Sequence, residues 1–239
     1  MSPSISPLIV RRDRYDVSGL VEAQFEPGSR GRVLRNLLGI ARKREMDRAE
    51  AEAQLLAFDR FSSCFMTDHR FTTADIVEMH RVWLGGIYPW AGKFRQVQVS
   101  KSGFLFAAPT QISKLMAALE TGPLRKHTPC LHASRERVIE GLAEVHVELV
   151  LIHPFRDGNG RLARMLTVLM GLQAALPPLD FSGIKGRERQ VYFNAVRRGL
   201  DRDYQPMQQV FEKVIEKTLL GFRKRAASSA RISPRSGTA

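Results

Sequence analysis

Cysteine is almost absent from this chain. Cys64 and Cys130 are the two among 239 residues, and no Cys-x-x-Cys pair occurs. That excludes a disulfide framework and fits a reducing compartment. Long apolar runs are missing too. None approaches the roughly 20 residues that span a bilayer. Leu8-Ile9-Val10, followed by arginines, is too short for the core of a signal peptide. The expectation is a cytoplasmic chain with no membrane partner; delivery into another cell by a secretion machine stays open. No internal repeat is evident. Acids are scarce, with 24 Asp and Glu against 37 Lys and Arg, a net charge of +13. A nucleic-acid surface, an acidic protein partner or ATP could each account for that excess. Much of it lies near the ends, at Arg11, Arg12 and Arg14 and at Arg223, Lys224, Arg225, Arg231 and Arg235, where solvated charge is explanation enough. Interleaved aromatics and a base-reading motif are missing, so a non-catalytic nucleic-acid-binding module is only an alternative and no nucleic-acid partner is expected.

What is present suits one domain with a sizeable core, since 44% of residues are hydrophobic and 26% charged. Helical spacing runs through most of it. Asp16–Gln24 reads as a short helix, and Phe25–Arg32 as a loop. In Arg44–Arg60, Met46, Ala49, Ala53, Leu56 and Ala57 form one stripe. Thr72 or Thr73 caps a helix that ends at Gly85-Gly86. Phe94–Val99 alternates as a strand, Ser100–Gly103 is turn chemistry, and Phe104-Leu105-Phe106 returns. Helices follow at Pro109–Glu120, at Arg135–Leu151 behind a Ser134 cap, at Arg161–Ala175, at Arg189–Leu200 and at Met207–Phe222. The domains expected are an N-terminal extension at 1–33, a helical body at 34–222, and a basic, disordered tail at 223–239.

The chemistry concentrates in His153-Pro154-Phe155-Arg156-Asp157-Gly158-Asn159-Gly160-Arg161-Leu162-Ala163-Arg164. Pro154 breaks the helix that delivers His153. Gly158-Asn159-Gly160 are small enough to close a loop around a ligand. They stand where the next helix begins, and a helix N-terminus attracts anions. Arg161 and Arg164, three apart, share one face beside that point, with forked donors that match phosphate oxygens. Asp157 is a hard oxygen ligand suited to Mg²⁺ on a polyphosphate. His153 can take a proton from a hydroxyl near neutrality. Together these describe a nucleotide phosphate-transfer site.

Two competing motifs are weaker. Gly158-x-Gly160-x-x-Ala163 matches a dinucleotide fingerprint, with Asp180 near the expected distance, but no second βαβ unit follows and His153, Asp157, Arg161 and Arg164 have no role in it. His146-Val147-Glu148 has the His-x-Glu of zinc deaminases, without their Cys-x-x-Cys. His69, His80, His127 and His132 lack metal spacing and read as structural or surface residues.

The twelve-residue stretch resembles the signature of the Fic/Doc family, His-Pro-Phe-x-Asp/Glu-Gly-Asn-Gly-Arg-x-x-Arg, at every defined position. Tyr88-Pro89-Trp90-Ala91-Gly92 resembles a second family step. The resemblance implies an all-α Fic fold with a small β-hairpin flap over the active site. It also implies a protein adenylyltransferase that moves AMP from ATP to a Tyr, Thr or Ser hydroxyl of a target protein. By that resemblance His153 is the base and Asp157 holds Mg²⁺. Gly158, Asn159 and Gly160 form the anion hole. Arg161 serves the β-phosphate side and Arg164 the γ-phosphate. The flap, at Val97, Val99, Lys101, Gly103 and Phe104, would hold the target by strand pairing. Transfer of another nucleotide, of phosphocholine or of phosphate from inverted ATP are the neighbouring chemistries. Many relatives carry an inhibitory Ser/Thr-x-x-x-Glu helix, and Ser18 and Glu22 match part of it. Glu22 is then expected on Arg164; otherwise a small antitoxin protein would restrain the enzyme.

Overall fold

The structure, a computed structural model, describes residues 19–101 and 103–232. Among these residues the fold is mostly helical with one two-stranded hairpin, the expected class. The helices run α1 (Lys43–Cys64), α2 (Thr73–Leu84), α3 (Ile112–Leu119), α4 (Arg125–His127), α5 (Arg135–Ile152), α6 (Asn159–Gln173), α7 (Arg187–Arg198) and α8 (Gln205–Ile232). Strands β1 (Ser100–Lys101) and β2 (Phe104–Leu105) pair antiparallel, Ser100 opposite Leu105 and Lys101 opposite Phe104.

Local chemistry sets the helix starts. Thr72 and Asp75 form a reciprocal capping box at α2: the Thr72 hydroxyl accepts from the Asp75 amide and the Asp75 carboxylate from the Thr72 amide. Ser134 caps α5 by accepting from the Arg137 amide. A centre forms because α5 and α6 are apolar on most faces. Leu142, Ala143, Val145, Val147 and Leu149 of α5 are fully buried, as are Leu162, Ala163, Leu166 and Met170 of α6. Helices α3, α6, α7 and α8 all pack on α5, while α1 and α2 pack on α6.

Several expectations need correction. Phe94–Val99 is extended but not a strand; pairing is confined to the two short strands and a Phe106 amide bond to the Val99 carbonyl. Its Arg95 amide goes to the Pro154 carbonyl, while the Gln96 amide and Val97 carbonyl are taken by side chains. Asp16–Gln24 gives only a single turn, Val21–Ala23, within the described part. Residues 19–33 are no loose extension: Phe25 bridges to Leu34 and Val33 is buried. α6 starts at Asn159, not Arg161. The presumed disordered tail is helical to Ile232, because Arg223-Lys224-Arg225-Ala226-Ala227 are good helix formers that simply extend α8. Ser18 and residues 233–239 lie outside the described residues.

Candidate active site

The twelve-residue stretch joins the end of α5 to the start of α6. His153 terminates α5 in the left-handed region, φ 51° and ψ 57°. That conformation costs a non-glycine residue about 1–2 kcal/mol, and bonds from three directions hold it. Its amide bonds to the Leu149 carbonyl. Arg95 donates from Nε to the His153 carbonyl at 2.7 Å. The ring nitrogen Nδ1 lies 3.1 Å from the Val150 carbonyl. A carbonyl only accepts, so Nδ1 carries the proton and Nε2 keeps its lone pair. The ring stacks on Phe106, centroids 3.6 Å apart at 15°. Burial drops the His153 pKa to about 4, helped by the positive charges of Arg95 and Lys101 and opposed by the Val150 bond and by Asp157. His153 is therefore a neutral base at pH 7.

The loop is locked from inside. Asn159 Oδ1 accepts from the Phe155 amide at 2.9 Å, and its Nδ2 donates to the Phe155 carbonyl at 2.8 Å. Its side chain therefore holds the loop and is not part of an anion hole; only its amide is left for that. Phe155 is fully buried, stacked on His80 at 3.8 Å and 8°. His80 Nδ1 accepts from the Gly92 amide at 2.8 Å, so Nε2 bears the proton and donates to the Asp157 carbonyl at 3.1 Å. Burial lowers the His80 pKa to about 4. Gly158 sits at φ 83°, and a Cβ there would meet Trp83 at 2.9 Å. Asn159 and Gly160 are the first two residues of α6, where amides point forward without intrahelical acceptors. Asp157 is exposed, with Oδ1 accepting the Gly158 amide at 2.6 Å. An exposed carboxylate of this kind is a hard oxygen donor of the type Mg²⁺ takes beside substrate oxygens.

The two arginines differ. Arg161 is spent on the protein: Nη1 meets Glu50 Oε2 at 2.6 Å, and its Cζ lies 4.7 Å from the Trp83 ring centroid. Glu50 is buried and also accepts the Tyr88 hydroxyl at 2.6 Å. Arg164 instead borders a cavity of about 440 Å³. Of the expected site residues, His153, Gly160, Arg164, Lys101 and Phe104 line that cavity; Asp157, Gly158, Asn159 and Arg161 do not. Beneath Arg164, fully buried His146 bonds through Nε2 to the Tyr192 hydroxyl at 2.9 Å. Burial, then the Arg164 charge, pulls its pKa down to about 3.

The flap hangs from Arg95, which is buried. Besides the His153 carbonyl, Nη1 donates to the Val97 carbonyl at 2.7 Å and Nη2 to the Ala107 carbonyl at 2.6 Å. The Arg95 amide bonds to the Pro154 carbonyl at 2.9 Å. One guanidinium thus joins both arms of the hairpin to the catalytic loop. Val97 is buried and its carbonyl is taken, so it is not at the cavity. Gly103 forms the turn at φ 73°. Sequence reasoning missed Arg95 and Glu50; His80, read as structural or surface, is structural. The one signal for Arg95 was a charge inside an alternating apolar segment.

Glu22 does not reach Arg164. Its Oε1 accepts the Gln96 amide at 2.7 Å, and its carbonyl accepts from Arg156 Nε at 2.6 Å. Contrary to expectation, Glu22 does not pair with Arg164; the turn at Val21–Ala23 braces the flap's first arm instead.

Residues 70–170 match the Fic/DOC family. The protein adenylyltransferase Fic of Nematostella vectensis is 33% identical over 159 residues, covering 66% of this chain and 35% of that protein. Its namesake in Drosophila melanogaster is 33% identical over 149 residues, 62% of this chain and 29% of that one. The chain spans about a third of the length of these curated relatives. Among solved structures, the Bartonella tribocorum effector BepC with bound AMPPNP has a TM-score of 0.64 at 23% identity, covering 82% of this chain and 97% of that one. Fic-1 of C. elegans (residues 134–508, E274G) has a TM-score of 0.57 at 26% identity, covering 75% of this chain and 53% of that one.

Proposed function

The chain carries a Fic/DOC region at residues 70–170, and from that premise we propose that it transfers AMP from ATP to a hydroxyl side chain of a target protein. The observation that carries the reading is His153: a neutral imidazole with Nε2 unprotonated, in one cavity with Gly160, Arg164 and the hairpin. The hydroxyl oxygen attacks the α-phosphorus in line. A bond to that oxygen forms as the bond to pyrophosphate breaks, and the hydroxyl proton passes to His153 Nε2. The amides opening α6, with Arg164, offset charge on the phosphates. Arg161, held by Glu50 over Trp83, adds positive potential behind them and keeps the helix start in place. Asp157 would hold Mg²⁺, whose charge stabilises the departing pyrophosphate.

Regulation by a separate small protein belongs to the same reading. Arg164 also borders a second groove, of about 380 Å³, on Leu55, Phe58, Met165, Val168 and Leu179. An apolar helix ending in a carboxylate would suit it.

With α-labelled ATP and cell lysate, wild-type protein should label a target. His153→Ala should lose about 10²–10⁴ in rate while binding ATP as tightly. Undiminished labelling by that variant would refute the assignment.

A further inference from the structure

The cavity contains five cations and no carboxylate: Arg164 inside, and Lys101, Lys185, Arg189 and Arg197 with it. Such a set is more charge than the proposed co-substrate requires. A triphosphate with one Mg²⁺ carries about −2, and Arg164 with the α6 amides already faces it. The other four are exposed and belong to other elements than α6, the flap strand and the segment from Lys185 through α7. Lys101 lies on β1, opposite Phe104. Lys185 precedes α7, and Arg189 and Arg197 are on it.

Aromatic rings set the spacing of these charges. Lys101 Nζ is 5.8 Å and Arg189 Cζ 5.5 Å from the centroid of Phe193. Arg197 Cζ is 5.9 Å from that of Phe104. Two rings, one on each wall, therefore hold cations at both sides of the passage between flap and α7. Among the described residues, Lys101, Lys185 and Arg189 make no ion pair with a carboxylate; Glu188 of α7 pairs with Lys213 of α8 instead. Like charges this close repel one another, and a polyanion entering between them relieves the repulsion.

Resting on the proposed transfer reaction, we propose that the passage between flap and α7 selects an acidic protein segment, with Asp or Glu flanking the modified hydroxyl on both sides. The flap supplies register through backbone bonds, which carry little sequence information; Lys101, Lys185 and Arg189 supply the choice. Complementary charge acts mainly on encounter and on wrong partners, so the preference should be salt-sensitive.

The test uses the full chain, Mg-ATP labelled at the α-phosphate, and three peptides with one Tyr in acidic, neutral or basic flanks. The acidic peptide should exceed the basic one by about tenfold or more in kcat/KM, through KM, and the gap should shrink in 0.5 M salt. The double variant Lys185→Glu, Arg189→Glu should erase or invert the order while the KM for ATP holds. Equal rates on the three peptides, or a preference for the basic one, would overturn the proposal. So would a KM for ATP that rises with the peptide KM, which would assign these cations to a longer polyphosphate. Fluorescence anisotropy of the same peptides on His153→Ala protein reads binding without transfer. Acidic-selective binding with no labelling of any peptide by wild type would sink the transfer reading and keep the acidic docking surface; unselective binding would sink the surface alone.

Discussion

The loop after His153 and the flap both border one cavity and are built in opposite ways. The loop is closed by its own residues. Asn159 bonds both backbone groups of Phe155, His80 grips Asp157 and stacks on Phe155, and Gly158 leaves no room for a Cβ against Trp83. The flap has two residue pairs and an exposed turn, and a lone hairpin of that size is marginal in water. It persists because Arg95 fastens both arms to the loop and Glu22 takes the Gln96 amide. The proposed transfer needs a preorganised loop, since N–H groups that offset charge have to point where it develops. A hairpin held at its root by Arg95 and Glu22 keeps an exposed tip with few bonds of its own.

Acid should break this contrast most strongly. Burial lowers His80 and His153 to about 4 and His146 to about 3, against an ordinary value of 6.5. Between those values the unfolded chain binds more protons than the folded one. Stability is therefore fully present above pH 6.5 and is lost as pH falls toward 4, by on the order of several kcal/mol in total. Urea midpoints across pH 7 to 4.5 should fall accordingly. A flat profile would contradict neutral, buried imidazoles. Where the fold survives, kcat should not show an acid limb at the ordinary histidine pKa.

Next come the loop's internal bonds. Asn159→Ala leaves two buried backbone groups unpaired, for about 2–5 kcal/mol. Gly158→Ala adds positive-φ strain and a Trp83 clash of similar size. Both should lower the melting temperature and abolish AMP transfer together. Arg95→Ala should separate the regions. Three carbonyls lose one donor, costing about 2–4 kcal/mol, and hydrogen exchange should quicken over 95–107 while α5 and α6 stay protected. Uniform loss of protection would mean Arg95 is a core element and not a tether. Smallest is Gly103→Ala, strained by about 1 kcal/mol at φ 73° in an exposed turn. Flap exchange should change, with melting temperature almost unmoved.

The loop was legible in the sequence and the flap's support was not. Pro154, the glycines and the arginines are contiguous, so spacing alone put a broken helix, a glycine-lined helix start and His153 together. Thr72 and Ser134 were readable as caps because capping is local. Arg95 read as one more charge and Glu50 as one more acid on a helix face, because their partners are distant. Arg95 meets His153, 58 residues on, and Glu50 meets Arg161, 111 residues on. Alternation in Phe94–Val99 suggested a strand, but among the described residues no neighbouring strand lies there to pair with it.

The sequence by itself determined that this chain is helical, that α5 ends before Pro154, and that a glycine-lined turn opens α6. Periodicity, proline and glycine act through a residue's own backbone and its near neighbours, and these need no fold to be read. Tertiary structure alone decided that Arg161 is tethered while Arg164 faces the cavity, that Glu22 braces the flap and not Arg164, and that four cations face one another across a passage. Those outcomes depend on which surfaces meet, and long-range burial and pairing set that, not spacing along the chain.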